Sequence, residues 1–246
     1  MSVLGRLHLI TDTRPGRKTL EVVHATLRAG VAFGTAPTIQ VRVEDAMTDR
    51  EAYQLATAVM QLCREVWPAT VAAETSQEST SGAAESSTDA DSTHHDPRQR
   101  PLCLVNDRLH VALAVGADGG HVGADDLPVA AARRVLGGDA VLGATAREPM
   151  TAKQAVAEGA SYLGVGPAYR TTTKTGLPDP LGPSGVAAVA AAVDIPVIAI
   201  GGVTVDAVPA LLDAGAYGVA VVGGINDAAD PYEAASRFFQ TLRGRR

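Results

Sequence analysis

Three stretches, EGASYLGVG at 158–166, DAGAYGVAVVG at 213–223 and LAVGADGGHVG at 113–123, repeat one design. Each leaves the end of a helical pattern through a glycine and continues as a short, buried-looking run that closes on another glycine. A helix C-terminus needs a residue that tolerates positive φ, and a tight turn must then feed an interior strand. The recurrence of this unit points to repeated βα units and a parallel sheet.

Working outward from these phrases, β-type runs fall at 7–11, 38–43, 101–105, 119–122, 140–142, 161–165, 196–200 and 217–222. Helical patterns follow at 20–29 (closed by Gly30), 49–66, 108–115, 128–136, 151–158, 184–192, a run capped by Thr204 and ending by Ala214, and 231–242. Pro128 opens the fourth helix and Gly137 follows it, and Ser184 is placed to cap the sixth. Eight strands alternating with eight helices predict a single-domain (β/α)8 TIM barrel over residues 1–246. An open doubly wound sheet is the competing arrangement, but the GxGxxG turn expected after its first strand is missing.

The bulk numbers agree with a barrel. The chain has 246 residues, and barrels of about 250 residues form one domain. Aromatics supply only 4%, so the core is packed with Val, Leu, Ile and Ala, the filling of a sheet buried on both faces. The net charge is −6, and the segment 69–100 alone contributes −4. That segment has no periodicity and few large aliphatics. It reads as a flexible polar insertion between helix two and strand three, at the bottom face of the barrel. His94 and His95, flanked by Asp91 and Asp96, read there as polar filler.

No basic stripe exists for nucleic acid, and no apolar run is long enough for a membrane span or a signal sequence. A cytoplasmic protein acting on small molecules is expected, with homo-oligomerisation left open. Cys63 and Cys103 have no metal-ligand spacing and read as small buried hydrophobes.

Barrel chemistry gathers at the C-terminal ends of strands. Gln40 and Arg42, two apart on strand two, face the same way. Asn106 and Asp107 end strand three, and Asp125 and Asp126 end strand four. Carboxylates from neighbouring strand ends suit Mg2+, which takes one or two of them plus substrate phosphate oxygens; both Asp107 and Asp126 also precede helices and would serve as caps. Asp12 is a weaker candidate on the same wall. After strand six, 166–176 (GPAYRTTTKTG) offers hydroxyls, Arg170 and Lys174 to an anion. Gly201-Gly202 and Gly223-Gly224 end strands seven and eight, where barrels bind phosphate.

These phrases in this order, LITD at 9–12, QVR at 40–42, VNDR at 105–108, ADGGHVGADDLP at 117–128, YLGVGPAYRTTTK at 162–174, VIAIGGV at 197–203 and GVAVVGGI at 218–225, resemble the thiamine-phosphate synthase family. The resemblance implies coupling of hydroxymethylpyrimidine diphosphate to a thiazole phosphate, with Mg2+ and release of pyrophosphate. It further implies pyrimidine diphosphate contacts from Gln40, Arg42, Asn106 and Lys174, and Mg2+ held by Asp107 and Asp126. Thr145 keeps the hydroxyl of a common serine. Thr171 and Thr173 would place the thiazole phosphate or pyrophosphate, and Gly202, Val222 and Gly223 would grip the thiazole phosphate. Four positions depart from the pattern: Glu44 stands for a usual lysine, Arg147 for a histidine, Arg170 for a proline and Gly223 for a serine. Arg147 is the candidate to offset Glu44. Two alternatives are a thiazole tautomerase of the same fold, which needs a histidine base near the mouth, and a non-catalytic phosphate-binding scaffold.

Overall fold

The computed structural model describes residues 3–67, 100–171, 173 and 176–244. The three repeated phrases form the same hydrogen-bonded turn. Gly116, Gly159 and Gly215 all have positive φ (68°, 100° and 88°). The amide after each, at Ala117, Ala160 and Ala216, donates five residues back, to Ala112, Ala155 and Leu211 at 2.9, 2.9 and 3.1 Å. This is the Schellman closure, which satisfies carbonyls orphaned at a helix end. The chain then enters the next strand at once: the amides of Asp118, Ser161 and Tyr217 donate to Cys103, Leu142 and Val197 of the preceding strand. Gly34 (φ 59°) makes a fourth such turn, with the Thr35 amide on the Gly30 carbonyl at 2.9 Å.

The strands are β1 (Leu7–Ile10), β2 (Thr38–Val41), β3 (Leu102–Asn106), β4 (Gly119–Val122), β5 (Val141–Thr145), β6 (Tyr162–Val165), β7 (Val197–Ile200) and β8 (Gly218–Val221). All neighbours pair in parallel and β8 returns to β1, which closes the barrel. The helices are α1 (Thr19–Ala32), α2 (Asp49–Val66), α3 (Leu109–Val115), α4 (Val129–Leu136), α5 (Pro149–Ala157), α6 (Gly182–Ala190), α7 (Val208–Asp213), α8 (Gly223–Asn226) and α9 (Pro231–Arg243). Residues 68–99, which include all of the expected 69–100 insertion but Arg100, lie outside the described residues, between α2 and β3.

Local chemistry corrects several boundaries. Gly30 does not close α1. It lies inside that helix, where an added Cβ would meet the Thr35 carbonyl at 2.8 Å and Pro37 at 3.0 Å, so its smallness lets the chain after α1 fold back closely over it. Ser184 sits within α6 and caps nothing; the preceding Leu181 has no side-chain cap either. Thr204 leads into a 3-10 turn, Val205–Ala207, through its backbone alone. α2 starts with a capping box of Thr48 and Glu51. α8, absent from the sequence reading, is too short to show helical periodicity.

Two apolar layers result. Val, Leu and Ala of the strands pack against the helices, while Ile10, Leu104, Tyr162, Ile198 and Ala220 fill the barrel itself. Cys63 and Cys103 are buried free thiols, and burial pushes Cys63 up to about 12. Both behave as small hydrophobes.

Candidate active site

The mouth of the barrel is built rung by rung from the register of its strands. Gln40 on β2 pairs alongside Leu104 of β3, and Asn106, two residues on, pairs alongside His121 of β4. The Gln40 amide donates to the Asn106 side-chain oxygen at 2.6 Å. His121 continues this polar row. One ring nitrogen lies 3.0 Å from the Tyr162 hydroxyl and the other 3.0 Å from that of Thr145. Burial holds His121 down to about 4, so the ring is neutral near pH 7.

Sequence reasoning missed His121 and Tyr162 as site-forming residues. The signal was there in the glycines of β5 and β6. A Cβ on Gly143 would lie 2.2 Å from the Tyr162 ring and 2.4 Å from His121 Nδ1, and one on Gly164 would lie 3.0 Å from His121. Glycine at these strand positions clears the volume that the two rings occupy.

Arg42 and Glu44 form an ion pair at 3.4 Å, with side chains 22% and 37% exposed. Their backbones are tied to the end of β1. The Arg42 amide donates to the Thr11 hydroxyl at 2.8 Å and the Glu44 amide to that of Thr13 at 3.0 Å. Glu44 therefore engages Arg42, the cation two residues before it. Arg147 does not offset it. The Arg147 guanidinium donates to the Gly166 carbonyl at 2.9 Å and the Asp179 carbonyl at 2.8 Å, joining the loop after β5 to both arms of the loop after β6.

Asp107 and Asp126 are exposed at the ends of β3 and β4. The Asp107 amide donates to the His121 carbonyl at 2.9 Å, which links the two strand ends. Asp107 has φ 58°, an uncommon conformation for a residue with a side chain and one found often at functional positions. Asp126 accepts from the Gly123 amide at 2.7 Å, and its charge favours protonation of His121. Neither aspartate caps its helix: the residues bounding α3 and α4 are Arg108 and Pro128, without side-chain caps. Asp12 turns inward and is committed to Arg14 and Arg17.

On the opposite side, a groove of about 550 Å3 is lined by Arg170, Thr171, Asp179, Gly202, Thr204 and Gly224 among others. Gln40, Asn106, Asp107 and Asp126 do not line it, so the expected residues form two groups across the mouth. The Thr171 and Thr173 hydroxyls lie 3.2 Å apart, and Thr173 Oγ1 is 3.9 Å from the point where a Gly223 Cβ would stand. The loop after β6 thus reaches the end of β8. Val222 precedes α8, whose Asn226 side chain donates to the Ile10 carbonyl at 3.1 Å. Gly202 has a packing reason of its own: φ is 63°, and a Cβ would meet the Arg170 carbonyl at 2.3 Å. Lys174 and the His94-His95 pair lie outside the described residues.

A thiamine-phosphate synthase of Salinispora arenicola is 55% identical over 242 residues, which cover 98% of this chain and 99% of its own. This chain belongs to the thiamine-phosphate synthase family. It is an enzyme, a transferase. The family profile described as Thiamine monophosphate synthase matches residues 95–225. The thiamine-phosphate synthase of Salinibacter ruber is 37% identical over 98% of this chain and 90% of its own. Among solved structures, thiamine phosphate pyrophosphorylase from Pyrococcus furiosus matches with a TM-score of 0.74 at 28% identity, over 97% of this chain and 96% of that one.

Membership of the thiamine-phosphate synthase family implies use of Mg2+. Among the described residues no group of three or more His, Cys, Asp or Glu forms a cation cage. Asp107 and Asp126, exposed at the ends of the neighbouring strands β3 and β4, are of the hard-oxygen donor type that this ion takes. Two hard carboxylates leave coordination positions for substrate oxygens and water, the usual manner in which Mg2+ is held beside a diphosphate. No helix among the described residues is long and apolar enough to cross a membrane.

Proposed function

We propose that the two sides of this mouth divide the substrates of thiamine-phosphate synthesis: hydroxymethylpyrimidine diphosphate along β2–β5 and hydroxyethylthiazole phosphate along β6–β8. The observation that carries the division is the neutral polar row Gln40–Asn106 and Thr145–His121–Tyr162. An aminopyrimidine presents both donors and acceptors, and a row with both kinds of group orients it without adding charge. Arg42 and Lys174 meet the diphosphate, while Asp107 and Asp126 hold Mg2+, which neutralises the leaving pyrophosphate when bound. Thr171, Thr173 and the backbone of Gly202, Val222 and Gly223 hold the thiazole phosphate.

In this reading pyrophosphate leaves first, and the electron-donating amino group stabilises the pyrimidine methylene cation. The thiazole nitrogen then captures that cation. The protein needs no nucleophile of its own. Its residues position both rings, match the charge that develops and keep water from the cation. A tautomerase would use His121 as a base, but both of its ring nitrogens already have partners and burial lowers its basicity.

The test is a two-substrate assay with Mg2+. Pyrophosphate is expected only when both the pyrimidine diphosphate and the thiazole phosphate are present. Asp107→Asn should cut Mg2+-dependent turnover by about 100-fold, the scale of losing one preorganised electrostatic group, with little change in melting temperature. No turnover by the wild-type chain removes the functional reading, and a fully active Asp107→Asn removes the metal assignment.

A further inference from the structure

Arg17, just before α1, is shared by two carboxylates of different character. Its Nε lies 2.9 Å from Asp12 Oδ2, and its Nη2 donates to Asp227 Oδ1. Asp12 is buried and also chelated by Arg14, through contacts of 2.9 and 2.6 Å. Burial opposes its charge, but the two guanidiniums outweigh that and keep its pKa below the usual carboxylate range. Asp12 is thus a fixed partner. Asp227 is not: its side chain is 51% exposed, and Arg14 reaches it only at 3.9 Å.

The other Asp227 oxygen fills the space beside Gly223. A Cβ at Gly223 would lie 2.7 Å from Asp227 Oδ2, and the Thr173 hydroxyl is 3.9 Å from the same point. An oxyanion belonging to the chain therefore already sits where a guanidinium, a hydroxyl and Gly223 converge. This explains the glycine at a position where the family pattern carries serine. A serine Cβ would push Asp227 off Arg17. The two aspartates and two arginines balance in charge, so the cluster offers no net attraction while Asp227 is in place.

We propose that Arg17 is a side-chain cation of the thiazole-phosphate pocket, with Asp227 as its resting counter-ion, which the incoming phosphate ester displaces. The proposal rests on the reading of the β7 and β8 ends as the thiazole-phosphate side. A counter-ion holds the guanidinium in position before substrate arrives, and it disfavours anions too weakly charged to replace it.

Calorimetric titration of the full chain with inorganic phosphate, and KM for each substrate, test this. Asp227→Asn should tighten phosphate binding and lower KM for the thiazole phosphate by about three- to tenfold, the size of one partly exposed charge interaction, while KM for the pyrimidine diphosphate stays unchanged. Arg17→Gln should weaken phosphate binding. Gly223→Ser, whose Cβ would displace Asp227 from Arg17, should tighten it, and Gly223→Ser/Asp227→Asn should tighten it no further than Asp227→Asn alone. Unchanged or weaker phosphate binding in Asp227→Asn overturns the proposal, as does an equal shift in both KM values. If Arg17→Gln fails to fold, the Asp227→Asn and double-variant results decide alone. Phosphate binding is read without turnover, so an inactive wild-type chain would count against the synthase reading and leave this test intact.

Discussion

At the end of β2 the Arg42 guanidinium lies 3.4 Å from the Glu44 carboxylate, and both groups are partly shielded from water. If Arg42 meets the diphosphate as proposed, that pairing withdraws part of its positive charge. Partly exposed ion pairs are weak, so a multiply charged diphosphate can compete for Arg42, but at a cost in affinity. Glu44→Lys releases Arg42 and adds a second cation. The expected result is a KM for the pyrimidine diphosphate lower by about tenfold, with KM for the thiazole phosphate unchanged, in steady-state assays at low salt. A higher KM would mean that Glu44 serves to hold Arg42 in place. In sequence, Glu44 was legible as an intruding charge. Its partner was not, because spacing tells which side chains share a face and not which rotamers meet.

At the scale of elements, strand glycines shape the site as much as its polar residues do. Gly143 on β5 lies beside both His121 and Tyr162 in the register of the sheet. Gly143→Ala should destabilise the chain by about 1–3 kcal/mol, the usual cost of overpacking a filled core, and should reduce kcat as the His121–Tyr162–Thr145 row shifts. Gly138→Ala is the control, since nothing lies within 4 Å of its Cβ position and its φ is not positive; less than about 0.5 kcal/mol is expected. Urea denaturation of the two variants separates the cases. Equal midpoints would show that the barrel interior can relax around the extra methyl group. The helix-to-strand turns were readable because each is closed by bonds within a few residues. The true end of α1 was not: Gly30 looked like a terminus, and only the close return of Thr35 and Pro37 over it shows why a glycine stands inside that helix.

For the whole molecule, the barrel interior carries a pH liability. His8 is buried beside Tyr162, its Nε2 has no hydrogen-bond partner among the described residues, and burial and the nearby His121 hold its pKa at about 3. His121 is held at about 4. Unfolding returns both to their ordinary value of 6.5. Above that value both states are neutral and neither ring titrates. As pH falls from about 6.5 towards 4, the unfolded chain takes up protons that the folded chain refuses, and stability drops by roughly 1.4 kcal/mol per pH unit for each histidine. Chemical denaturation at pH 7.5, 6 and 5 should show this slope. His8→Phe should about halve it while preserving stability at pH 7.5, because the ring remains and an unsatisfied buried nitrogen is removed. A flat profile would place water against these rings.

The sequence by itself determined the repeated unit, the order of the strands and which residue types stand at the strand ends. Those follow from local rules, namely φ preferences, apolar runs and the alternation of faces along a strand. Only the closed barrel decided the partners: Gln40 with Asn106, His121 between Tyr162 and Thr145, Arg147 on two loop carbonyls, and Arg17 between Asp12 and Asp227. Apart from Arg17 with Asp12, these contacts join groups far apart in the sequence, and their distances are set by the curvature and register of the whole sheet.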